Sequence, residues 1–276
     1  VLETLRNAFK VREIKDKIIF TLLMILVYRV GSHIPVPGLD KSVLESMFTG
    51  DFFGFLDIMS GGAFKNFTVF ALGIMPYINA SIIIQLLTVV IPYLERLSKE
   101  GPEGRKKIVQ LTRYGTVILG TLQGIGMTIY LRNALISPGI ASYAVVVVTL
   151  TAGTAFLMWL GEMITERGVG NGISMIIFAG IVSSIPGGIM TIAAYVRAGE
   201  MGVFALVGFL VIALAAVIGI IAIHEGERKM PVQYAKRVIG RKVYGGQSTH
   251  IPLKVNQAGV IPIIFAMSIL MFPATI

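Results

Sequence analysis

Six stretches of this chain run for 18 or more residues without one charged side chain. Lys65 to Glu95 encloses 29 uncharged residues, Arg113 to Arg132 encloses 18, and Arg132 to Glu162 encloses 29. Arg167 to Arg197 encloses another 29, Glu200 to Glu225 encloses 24, and Lys254 leaves 22 to the end. Each has the length of a helix crossing a hydrocarbon core, which takes about 20 apolar residues. A weaker candidate precedes them: Ile18 to Val30 is apolar except for Arg29, which can snorkel from a helix end. The spacing therefore predicts seven spans and an all-α polytopic membrane protein.

Composition agrees. Charged residues make up 14% of the 276 residues, against about 25% in a soluble domain. With 55% apolar residues and a mean hydropathy of +0.80, neither a water-soluble enzyme nor a disordered chain is expected. The absence of cysteine excludes disulfides, thiolate metal sites and a cysteine nucleophile. The chain opens on Val1, so a start further upstream is expected. No signal peptide is expected, because a basic stretch leads into the first span without a small-residue cleavage site.

Lys and Arg set the orientation. With a cytoplasmic N-terminus, 19 of the 24 fall on the inner side and 5 (Arg29, Lys41, Lys65, Arg132 and Arg197) on the outer. That asymmetry follows the positive-inside rule. Most of the net charge of +9 is thereby topology.

Residues 1–16 read as an amphipathic helix lying on anionic lipid, with Leu2, Leu5 and Phe9 on one face and Arg6, Lys10 and Arg12 around it. The first outer loop, residues 32–66, is longer than a connector needs. In it Phe52, Phe55, Leu56 and Met59 keep helical spacing, and Gly61-Gly62 can end the helix. Too short to span, this helix either lies on the outer surface or re-enters and packs inside the protein. Pro76, Pro92, Pro186, Pro262 and Pro273 fall in the expected spans, as kinks or as hinges of a moving bundle. The spans hold almost no ionisable group, which disfavours an ion-coupled transporter.

Enzyme motifs are absent. His224-Glu225 begins the zinc pattern H-E-x-x-H, but Arg228 stands where the second histidine is required. Gly168 to Gly172 are turn residues between helices, there is no phosphate-binding loop, and no cofactor is implied. The loop 225–254 carries seven basic residues, β-formers Val232, Tyr234, Val238 and Val243, and a turn signal at Gly245-Gly246. It reads as a basic hairpin that an RNA-rich or acidic partner would fit.

Several segments resemble the SecY family, the channel subunits of the Sec protein translocon. They are Ile58-Met-Ser-Gly-Gly-Ala63, Phe70-Ala-Leu-Gly-Ile-Met-Pro-Tyr-Ile78 and Ala80-Ser-Ile-Ile-Ile-Gln-Leu-Leu-Thr88. Gly104-Arg-Lys-Lys107, Thr112-Arg-Tyr-Gly115, Leu157-Met-Trp-Leu-Gly-Glu162, Thr165-Glu-Arg-Gly168 and Gly170-Asn-Gly-Ile-Ser174 continue the pattern. Tyr234-Ala-Lys-Arg237, Gln247 to Asn256 and Gly259-Val-Ile-Pro262 complete it. The resemblance runs from about Arg29 to the last residue and implies a SecY-like helical bundle. It implies an hourglass pore that moves secretory chains across the membrane and releases hydrophobic segments sideways into lipid. By motif position Ile74, Ile78, Ile177 and Ile264 are the expected pore ring, a constriction of stiff apolar side chains that dewets.

The resemblance tips the outer-loop helix to the re-entrant reading, as a plug at about 55–65 that includes Phe55, Leu56, Ile58, Met59, Gly61, Gly62 and Phe64. It implies a lateral gate with Asn79, Gln85 and Gln123 as polar groups. The basic loop becomes a docking surface, with Arg228, Lys229, Lys236, Arg237, Arg241 and Lys242, for a ribosome (with possible rRNA contact) or the SecA motor ATPase. A SecE-like small membrane subunit, an unfolded polypeptide substrate and the lipid bilayer are the other implied partners, and a bacterial inner membrane is the implied location. Three parts are expected: the interfacial helix 1–16, a first half 17–196 with five spans and the plug, and the start of a second half, 197–276. Members of the family have ten spans, so this chain reads as truncated after the seventh and is not expected to conduct alone.

Overall fold

The computed structural model describes residues 11–40, 43, 60–64, 66–137, 139–200, 202–232, 237–239, 242–244, 249–256 and 266. The chain divides into two compact units, with the described residues up to Ile189 in the first and those from Met190 to Ala266 in the second.

The first unit is helical. Helix α1 is Arg12–Gly31, α2 Met75–Val90, α3 Pro92–Lys99, α4 Pro102–Tyr130, α5 Ile140–Arg167 and α6 Gly172–Arg197, the last continuing into the second unit. α2 and α5 both pack on α4, and α1 packs on α5. The face that α4 buries is Thr112, Thr116, Gly120, Gly124 and Thr128, one small residue every fourth position. Small residues let helices approach closely where lipid removes the usual hydrophobic drive. The threonines do not strand a hydroxyl there: Thr112, Thr116 and Thr128 each donate to the carbonyl four residues earlier, at 3.0, 2.7 and 2.6 Å.

Helix α5 meets the glycines of α4 with Val147, Thr151 and Thr154 and buries Val146, Leu150, Leu157 and Leu160. An apolar cluster of Val36, Phe67, Ala71, Leu131, Ala134, Leu135, Val146 and Leu150 closes one end of this unit. Short bridges Pro35–Thr68 and Leu39–Leu135 tie the loops over it.

α5 and α6 are each long and apolar enough to cross a membrane, as is α7 (Val203–Glu225) in the second unit. The pair α2–α3 passes the same test only together and is bent by 101°. The expected first span is the 20-residue α1, which begins at Arg12, so residues 12–16 of the expected interfacial helix continue into it; residues 1–10 lie outside the described residues. The expected third span is the 29-residue α4, more polar than the others because its buried face is threonine and glycine. The expected seventh span lies outside the described residues apart from Val255, Asn256 and Ala266.

The prolines act differently from one another. Pro76 starts α2, Pro92 starts α3 at the bend, and Pro186 is carried inside α6; Pro262 and Pro273 lie outside the described residues.

In the second unit, the apolar side chains of α7 are exposed within this chain, a surface suited to lipid. The basic loop folds as two antiparallel ladders, β1 (Glu227–Val232) with β4 (Thr249–Lys254) and β2 (Arg237–Ile239) with β3 (Lys242–Tyr244). Ile239 pairs with Lys242 in the inner hairpin, and the expected turn at Gly245-Gly246 lies outside the described residues.

Candidate functional site

Ser60 is the last helical residue of its segment, and the chain leaves the helix through Gly61 and Gly62 at φ +66° and +86°. That left-handed exit is open to glycine at little cost and ends a helix as the sequence implied. It leaves carbonyls without helical partners, and α1 supplies donors. Tyr28 Oη–H donates to the Ser60 carbonyl at 2.9 Å, and Arg29 Nη1–H to the Gly61 carbonyl at 2.8 Å.

The turn then closes on itself. Phe64 N–H donates to Ser60 Oγ at 3.0 Å, and both Thr68 N–H and Thr68 Oγ–H donate to the Ala63 carbonyl. Ala63 and Phe64 are buried, and Phe67 holds φ +42°, a strained value for a bulky residue kept in place by the apolar cluster around it. Of the expected plug residues, Gly61, Gly62 and Phe64 fall in this turn, while Phe55, Leu56, Ile58 and Met59 lie outside the described residues.

The expectation for Arg29 is corrected here. It does not snorkel away from the protein; it turns onto the Gly61 carbonyl, where a cation meets the partial negative charge of exposed carbonyls at a helix end. Tyr28 is a residue the sequence reading did not single out. Its signal was adjacency to an arginine in an otherwise apolar span. An aromatic stack of Tyr28, Phe70, Phe156 and Trp159 fixes its ring, with centroids 6.1, 5.9 and 5.6 Å apart.

Ile74 caps α2, and Ile78 lies one turn on with its N–H bonded to the Ile74 carbonyl at 3.1 Å. Both are buried. Ile177 is half-buried on α6, beside the fully buried Ile176. Ile264 lies outside the described residues. Asn79 is buried, and its Oδ1 has no hydrogen-bond partner among the described residues. Gln85 is exposed, within 3.5 Å of Ser81 Oγ, and Gln123 is half-buried on α4.

At the other end of the helices Arg113 forks onto Glu162, joining α4 to α5 through Nε–Oε1 at 2.9 Å and Nη2–Oε2 at 2.8 Å. On α3 the exposed Glu95 accepts from Lys99 at 2.6 Å, and that hydrogen bond and charge hold its carboxyl below the ordinary carboxylate range. Arg228 and Lys229 are exposed on β1. Arg237 and Lys242 lie on β2 and β3, and Lys236 and Arg241 lie outside the described residues. No group of acidic or histidine side chains able to hold a metal ion occurs among the described residues.

A multi-pass helical membrane protein with this order of helices, an inturned loop after α1 and a stranded loop after α7 has a fold already seen in solved structures. It matches the structure described as that of a protein conducting channel with TM-score 0.68 at 19% identity, over 95% of this chain and 57% of that one. It matches Sec61 in the canine ribosome–channel complex from the endoplasmic reticulum equally, TM-score 0.68 at 18% identity, over 95% of this chain and 58% of that one.

The SecY family model matches residues 68–276, and the chain belongs to the SecY family. Among curated relatives, the protein translocase subunit SecY of Halalkalibacterium halodurans is 50% identical over 100% of this chain and 66% of its own length. That of Escherichia coli K12 is 50% identical over 96% of this chain and 62% of its own, and that of Buchnera aphidicola 50% over 96% and 77%. The chain thus spans less than two thirds of the first two of these relatives.

Proposed function

We propose that this chain is a pore-forming portion of a protein translocase channel subunit, which passes unfolded polypeptide across the membrane and releases hydrophobic segments into lipid. The observation that carries it is 50% identity, over 96–100% of the chain, to proteins named protein translocase subunit SecY. Ile74, Ile78 and Ile177, with Ile264, form the waist of the pore. Stiff apolar side chains at such a waist dewet it and resist ions while parting for a chain. The buried turn at Gly61 to Phe64 belongs to a plug that seals the outer mouth. Asn79, whose buried Oδ1 is unpartnered, contributes with Gln85 and Gln123 to a lateral gate, where a polar contact can be exchanged for substrate.

The chain performs no covalent chemistry itself; a SecA-type motor or a translating ribosome docked on the basic ladders drives transport. A small SecE-like membrane subunit completes the assembly in a bacterial inner membrane, with the N-terminus cytoplasmic. A stalled secretory nascent chain tests the proposal. A photo-crosslinker placed at 74, 78 or 177 of the full-length protein is expected to capture that chain. One at Val148, which is exposed on α5, is expected not to. Equal capture at all four positions, or none at the first three, overturns it.

A further inference from the structure

We propose that Tyr28 and Arg29 form a clamp that holds the Ser60–Gly62 turn shut against α1, with α6 as the opposing jaw. The proposal rests on the reading of that turn as part of the plug. An arginine at the outer end of a span ordinarily reaches for the interface. Here Arg29 is spent on one backbone carbonyl, that of Gly61, while its neighbour Tyr28 takes the preceding carbonyl. Tyr28 is 2% exposed and stacked on Phe70, so its hydroxyl is presented from a rigid base. Ser32 Oγ–H donates back to the Tyr28 carbonyl at 2.8 Å and steadies the same end of α1.

The opposite side of the turn is equally close. A Cβ added at Gly61 would lie 2.7 Å from Ser183 Oγ, 3.0 Å from Gly180 Cα and 3.1 Å from Arg29 Nη1. The turn is thus wedged between α1 and α6, with no room for a side chain. In a low-dielectric surround a charged donor on a carbonyl is stronger than in water, and breaking such a bond leaves a buried polar group to be resolvated. Freeing the turn therefore requires α1 and α6 to move apart or both bonds to break. Arg29 and Tyr28 are positioning residues that couple movement of these helices to release of the turn.

These 276 residues hold no cysteine, and with any cysteine elsewhere in the assembly replaced by serine a single probe can be introduced. Ala63 is fully buried in the turn. In the full-length channel assembly carrying A63C, labelling by a membrane-impermeant maleimide from outside is expected to be slow. Adding Arg29→Met is expected to speed it by about tenfold, the loss of one charge-assisted hydrogen bond. Tyr28→Phe, which removes one oxygen and keeps the ring, should speed it several-fold, and Arg29→Lys should fall between parent and Arg29→Met. Fast labelling of the parent, or unchanged labelling in both Arg29→Met and Tyr28→Phe, overturns the clamp. If Arg29→Met does not accumulate, Tyr28→Phe decides alone. Ion conductance of the same variants separates the two readings. Faster labelling with unchanged conductance keeps the clamp and removes the plug role, whereas unchanged labelling with altered conductance removes the clamp alone.

Discussion

Among the glycines of the first unit, Gly153 and Gly172 lie too close to neighbouring backbone for a side chain. A Cβ at Gly153 would overlap the Val69 carbonyl, and one at Gly172 would overlap the Gly161 carbonyl. Both contacts are with backbone, which cannot rotate away, so a methyl group must push a helix or a loop. Gly153→Ala is expected to cost about 1–3 kcal/mol through overpacking and to lower the thermal unfolding midpoint in detergent. Gly188→Ala, which meets nothing within 4 Å on α6, is expected to leave that midpoint unchanged or raise it slightly. A midpoint for Gly153→Ala equal to that of Gly188→Ala would contradict the close approach. Around Gly172, Asn171 Oδ1 accepts the Ser174 N–H at 3.1 Å, and Thr165 Oγ accepts the Gly172 N–H at 2.9 Å. Side chains thus take up two of the first N–H groups of α6 that a helix cannot satisfy itself.

At the scale of elements, the bend between α2 and α3 follows from two residues. Pro92 offers no N–H and restricts the residue before it, and Ile91 sits in the extended region at φ −97°, ψ 114°. The helix stops where the apolar run stops, and the charged α3 turns aside, burying Leu94 and Leu97. The basic loop is the other element with a distinct task. Its two ladders carry basic side chains on short strands, and Arg228 and Lys229 are exposed. Under the docking proposal, the charge reversals Arg237→Glu, Arg241→Glu and Lys242→Glu together are expected to weaken binding of the motor or ribosome by about tenfold at moderate salt and less at high salt. Membrane insertion should be unaffected. Co-sedimentation with unchanged affinity would remove the docking role.

At the scale of the molecule, topology is the testable quantity. Under the proposed orientation, single cysteines at His33 and Ile136 should label from the outer side, and those at Gly101 and Gly168 from the cytoplasmic side. The inverse pattern would reverse the orientation. The Arg113–Glu162 fork sets Arg113, well inside α4, level with the last turns of α5. That agrees with a helix pair running in opposite directions through a bilayer.

Much of the fold was legible because a bilayer makes charge spacing nearly equivalent to topology: an unpaired charge is costly in hydrocarbon, so gaps between charges mark spans. α6 and α7 fill such gaps up to the bounding charge, α5 begins in one and runs past Glu162 to Arg167, and Gly61-Gly62 ended a helix as their backbone freedom implied. The family too was readable, since its motifs are local strings. What the gaps could not encode was where an uncharged run stops being helix. Lys65 to Glu95 is one gap, yet residues 66–74 form turns and the helix begins only at Met75. Nor does local sequence specify a partner distant in the chain. Arg29 is 32 residues from Gly61, and its choice between solvent and that carbonyl is made by α1 and α6 closing on the turn. The sequence by itself determined the spans, the family and the candidate positions. Only tertiary structure decided which of those positions touch, because contact depends on how separate helices pack and not on any pattern within one of them.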